Sequence, residues 1–206
     1  MLRMILFSIM EFWKYWFTTC CIWLQRAGMT RGFGVQSPSA YSFIRYVINE
    51  HYPYYAYSDL KDRLHLLSRL EHKLGRLLFR LANFWQADVR YMDVTKLLPY
   101  MYAGCHHSRA CELDAFLGGK HSNDEKNMVI IDFSQTTPSV VKNDILPLCS
   151  NQTMLVCLNL HASKESYLCW KEIQDSSFSG ITYDLYYAGI VFFDQTKFKQ
   201  HYQVNF

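Results

Sequence analysis

Four short apolar runs, at 89–94, 109–113, 128–132 and 153–158, mark the middle of the chain, and helix-forming stretches at 95–103, 137–147 and 163–174 separate several of them. Runs this short, apolar without alternation, suit strands covered on both faces. Strands that alternate with helices form βαβ units, so the expected fold is α/β with a mainly parallel, doubly wound sheet. The end of the chain departs from this pattern. Ile181–Tyr186 and Gly189–Phe193 are separated only by Tyr187 and Ala188, which predicts an antiparallel hairpin.

A chain of 206 residues allows about one domain with an appendage. The reading divides it into an amino-terminal helical extension, 1–58, and an α/β domain, 59–206. Half of the residues are hydrophobic and 17% are aromatic, which excludes a disordered chain. A net charge of +3 is too small to indicate nucleic acid from bulk electrostatics. The charged share, 19%, lies below the ~25% of ordinary soluble domains and suggests surface held against something else. Seven cysteines, with no C-x-x-C pair, stand largely in apolar runs such as Leu155–Leu158 and Tyr167–Trp170. They are expected to be free thiols, and a reducing, cytoplasmic setting follows.

Met4 to Leu24 carries only Glu11 and Lys14 as charges. Two charges near the middle of a span cost roughly 5–7 kcal/mol on an insertion scale, and no small-residue cleavage site follows. Trp13, Trp16, Phe17, Cys20, Trp23 and Leu24 recur at helical spacing and form one face. That face is expected to dock on the protein, a second copy or a partner; a membrane surface and a membrane span are the alternatives.

Gly32-x-Gly34 lacks the preceding strand and third glycine of a dinucleotide loop, and Ser37-Pro38 instead predicts an N-cap and first turn for a helix over 38–50. The tyrosines of His51–Tyr57 predict a hydrophobic plug. Residues 59–85, with a leucine stripe from Leu60 to Leu81, predict a long helix whose basic and acidic face is solvated.

Four segments resemble a bacterial family of class I S-adenosylmethionine (SAM)-dependent methyltransferases and methyltransferase-like proteins. Gly34-Val35-Gln36-Ser37-Pro38 with Tyr41 is similar to the family's amino-terminal G-[VI]-H-S-P-[FY]. Arg76–Trp85 resembles the helix before its first strand. Leu160-His161-Ala162-Ser163-Lys164-Glu165 with Trp170–Ile173 is similar to its D-D-I-H-W-S-x-x-M-x-x-A-W-x-x-I stretch. Ile181–Phe193 and Lys199–Phe206 resemble its terminal hairpin and tail. The resemblance implies a reduced Rossmann-like SAM-methyltransferase sheet, with SAM as cofactor and an unidentified methyl acceptor.

The resemblance places Asp93, Glu112 and Asp132 around the cofactor and His161 near the acceptor, where it is either a general base or, with its acidic neighbours gone, a packing or capping residue. The middle of the chain departs from the family. Its glycine-rich loop after the first strand is replaced by Val94-Thr95-Lys96-Leu97-Leu98, and Leu158-Asn159 stands where the family has two aspartates. From Asp93 to Ile131 there is room for one βαβ unit of about 30 residues, so a strand and helix are expected to be short or missing. A methyltransferase-like binding module with impaired SAM binding is the first expectation. An active methyltransferase and a membrane-surface protein are the alternatives.

Other chemistry is weakly indicated. Cys105-His106-His107 with Cys111 does not have zinc-ligand spacing, and no metal site is expected. Gly118-Gly119-Lys120-His121-Ser122 lacks the spacing of a phosphate loop. No context for a nucleophilic serine or cysteine is present.

Overall fold

A computed structural model describes residues 16–17, 19–28, 34–119 and 124–206. The expected helix over 4–24 lies partly outside these, and its described part is helical at 16–17 and 19–25. Seven strands form one mixed sheet: β1 Val89–Met92, β2 Arg109–Glu112, β3 Asn127–Asp132, β4 Thr153–Leu158, β5 Ile181–Asp184, β6 Ala188–Phe192 and β7 Gln200–Gln203. Their order is β2-β1-β3-β4-β6-β5-β7. The first four run parallel, β6 lies antiparallel between β4 and β5, and β7 pairs parallel with β5. This is an α/β fold with a mostly parallel sheet closed by an antiparallel hairpin, compatible with a Rossmann-like plan.

The apolar runs form strands because both faces of the sheet are covered. Met128 and Ile130 of β3 and Met154, Val156 and Leu158 of β4 face one core, which the helices Pro38–Phe43 and Arg69–Trp85 complete. Val129, Ile131, Leu155 and Cys157 face the other, where Phe116, Ile145 and Trp170 pack. Ala40, Phe43, Ile44, Val47 and Ile48 lie in the first core, so the segment preceding 59–206 packs against the same sheet. All seven cysteines are free, and Cys105, Cys157 and Cys169 are buried.

Ser37 caps the first of these helices, its hydroxyl accepting from the Ala40 N–H at 3.4 Å, and Pro38 fits the first turn, where no N–H is needed. The chain continues as a π-helical turn, Ile44–Ile48. Tyr54 and Tyr57 pack on Phe79 as the tyrosine plug predicts, with ring centroids 4.9 and 5.1 Å away.

Three expectations need correction. Residues 59–85 are not one helix: Tyr55–Arg63 ends before Arg69–Trp85 begins. The break is set by Ser68, whose hydroxyl accepts from the Glu71 N–H while the Glu71 carboxylate accepts from the Ser68 N–H, so two N–H groups at the new helix start are satisfied. The run 109–113 is not a covered strand. β2 is the sheet edge, and Arg109, Ala110 and Glu112 are exposed. Third, the interval from Asp93 to Ile131 holds two crossovers where room for one was expected; the shortening expected there is seen in β2, of four residues, and in the helices Leu98–Gly104 and Leu113–Leu117, of seven and five.

Candidate functional site

In an open parallel sheet the ligand crevice lies beyond the carboxyl ends of the strands, where successive connections leave in opposite directions. Here β1 connects to β2 on one side and β3 connects to β4 on the other, so the switch point falls between β1 and β3. Asp93 directly follows β1 and Asp132 ends β3, so the topology brings these two together.

Their carboxylates are turned onto neighbouring loops. Asp93 Oδ2 accepts from the Asp132 N–H at 3.2 Å and from the Thr136 hydroxyl. Asp132 Oδ1 accepts from the Ser134 N–H at 2.8 Å and from the Asn159 amide Nδ2 at 2.7 Å. Burial pushes the Asp93 carboxyl up, the Thr136 and backbone hydrogen bonds oppose it, and the nearby Asp132 charge adds to the rise. Asp93 Oδ1 is buried with no hydrogen-bond partner. After Asp93 the chain turns inward: Val94 and Leu97 are each 1% exposed and belong to the core.

Glu112 is not part of this cluster. It ends the edge strand, is exposed, and makes no capping hydrogen bond to the helix that follows. His161 lies after β4, exposed, with its ring stacked between Tyr167 at 4.6 Å and Tyr186 at 4.1 Å. Burial between these rings pushes its pKa down; the Asp184 charge opposes this, and the Arg26 and Lys171 charges add to it. The neutral imidazole is thereby favoured, sandwiched between rings.

The group beside it was not anticipated from the sequence. Asp184, 1% exposed, accepts from Arg26 Nη2 at 2.5 Å, from Trp170 Nε1 at 3.1 Å and from the Tyr186 N–H at 2.9 Å. Arg26 Nη1 also donates to the carbonyls of Asp184 and Val204, each at 3.1 Å. Tyr186, at φ 72°, is held in the left-handed region by this network, and the Arg26 guanidinium lies 5.6 Å from its ring centroid. Arg26 and Asp184 are 158 positions apart, and no local pattern pairs them.

Among the described residues no group of three or more His, Cys, Asp or Glu side chains is placed to hold a metal ion, and no helix is long and apolar enough to cross a membrane. Cys105 contacts His107, with its sulfur 3.6 Å from Nδ1, while Cys111 lies on the edge strand. No protein-family model matches the chain, and no curated protein matches it.

Proposed function

We infer that this chain is a class I SAM-dependent methyltransferase-like protein that works as a binding module, with its cofactor crevice taken up by its own side chains. The carrying observation is the hydrogen bonding of Asp93 and Asp132. The two carboxylates that the resemblance assigns to SAM accept instead from Asp132 N–H, Thr136, Ser134 N–H and Asn159. The residues present do not fit the cofactor: the loop after β1 has no glycine, Val94 and Leu97 are drawn into the core, and Glu112 stands apart. The order of the sheet and its terminal hairpin support the family reading. A module of this kind needs a surface to offer, and Trp16, Phe17, Trp23 and Leu24 are exposed on the amino-terminal helical stretch.

The active-enzyme reading has one observation in its favour, the unpartnered Asp93 Oδ1, which could accept from a ligand hydroxyl. Isothermal titration with SAM and with S-adenosylhomocysteine separates the two. The binding-module reading expects no saturable heat with either compound. Micromolar binding that Asp93→Asn weakens would establish the enzyme-like crevice and overturn it.

A further inference from the structure

At the opposite end of the sheet, where the parallel strands begin, lies a cavity of about 170 Å³ walled by Phe43, Phe84, Trp85, Tyr183 and Phe192. Phe43 is its central ring, with the centroids of Phe84, Tyr183 and Phe192 between 4.8 and 5.3 Å away. Trp85 is fixed by its Nε1, which donates to the Asn127 carbonyl at 2.9 Å, and its ring lies 5.6 Å from that of Phe192. Tyr183 is 2% exposed and lines the slot, its ring stacked on that of Tyr202 with centroids 5.3 Å apart.

A larger cleft of about 500 Å³ adjoins the slot and shares Asn151 and Asp194 with it. Its lining is different in character, with Ser150, Ser177, Gln195 and Thr196 supplying hydroxyl and amide groups. The charged residues at the junction, Asp194 and Lys197, pair with each other at 3.1 Å and leave little net charge.

We propose that the slot and cleft together bind a neutral small molecule consisting of one flat aromatic ring system on a hydroxyl-rich body. The slot slightly exceeds the ~150 Å³ known to admit a benzene ring, so it holds a single ring or a small fused pair. Ring walls favour a flat aromatic guest by offset and edge-to-face contact, and Tyr183 supplies one hydrogen bond. The cleft falls within the size range of ordinary ligand sites, and its hydroxyl and amide groups suit a polyol. The paired Asp194 and Lys197 select against a strongly charged guest. This site lies away from Asp93 and Asp132 and stands independently of the crevice reading.

The test uses phenyl β-D-glucopyranoside as probe and glucose as control, titrated into the full chain, with the Trp85 Nε1–H resonance observed by NMR and assigned through Trp85→Phe. The expected result is a saturable shift with the phenyl glucoside and none with glucose. Tyr183→Phe, which removes only the hydroxyl, should weaken binding roughly 2–10-fold, as for loss of one hydrogen bond. Ser39→Trp, at an exposed residue of the slot lining, should abolish it while the circular dichroism spectrum is retained. No saturable shift at millimolar probe, equal response to glucose, or binding indifferent to either substitution overturns the proposal.

Discussion

Replacing Arg26 by methionine should destabilise the protein by about 3 kcal/mol. Arg26 is 7% exposed and Asp184 1%. Removing one partner of a buried pair leaves the other charge uncompensated, at a cost of about 3–5 kcal/mol. Asp184 would keep its bonds from Trp170 Nε1 and the Tyr186 N–H, which places the expected loss at the lower end. The Asp184 and Val204 carbonyls would each lose a donor as well. For a chain of this length the loss corresponds to a fall in Tm of roughly 6–12 °C. Urea unfolding of the wild type, Arg26→Met, Asp184→Asn and the double variant gives a complete cycle. The double variant should be less destabilised than the sum of the single losses by about 2 kcal/mol. A loss below about 1 kcal/mol for Arg26→Met, or simple additivity, would refute the view that this ion pair fastens the amino-terminal segment to the final strands.

Two further predictions concern the helix Arg69–Trp85. A methyl group added at Gly104 would run into the Phe79 carbonyl oxygen, a backbone atom that cannot swing aside, so Gly104→Ala should force the two helices apart and lower stability by at least about 2 kcal/mol in thermal unfolding. Burial works to raise the Glu71 carboxyl, but the Lys96 ammonium and the Ser68 N–H outweigh it and hold the group at about 2. A depressed carboxylate contributes stability that is full above its unfolded value of 4.5 and is lost as pH falls from there toward 2. Because the pair with Lys96 is largely solvent-screened, the contribution should be about 1 kcal/mol. Glu71→Gln should remove that part of the acid-unfolding profile between pH 4.5 and 2, and an unchanged profile would count against the cap.

The strands β1, β3 and β4 and the final hairpin were legible because burial on both faces of a sheet writes continuous apolar runs into the sequence. The break at Ser68 was equally written there, as Ser68-x-x-Glu71, but the leucine stripe across it hid the signal. For β2, composition misled: the apolar run around Ala110 and Cys111 looks like a covered strand, whereas the exposure of Arg109, Ala110 and Glu112 follows from position at the sheet edge, a property of the topology. At the candidate site, Asp93 and Asp132 were found because they terminate strands. Their hydrogen bonding was not, since Thr136 and Asn159 reach them across 43 and 27 positions. Asn159 shows why its identity matters: an amide donates to Asp132, where a second carboxylate would repel it.

The placement of β6 between β4 and β5 has a consequence for how the chain is made. As a nascent chain lengthens, β4 is synthesised well before residues 188–192, the strand that pairs with its outer edge. Until then its outer edge presents a mostly apolar strand with unpaired N–H and C=O groups, a template for another chain. The same interval leaves Arg26 without Asp184. Covering of β4 and capture of the amino-terminal segment therefore both wait for the β5–β6 hairpin, and a chain stopped after Asp175 would carry both an open sticky edge and an unpaired cation meant for the interior.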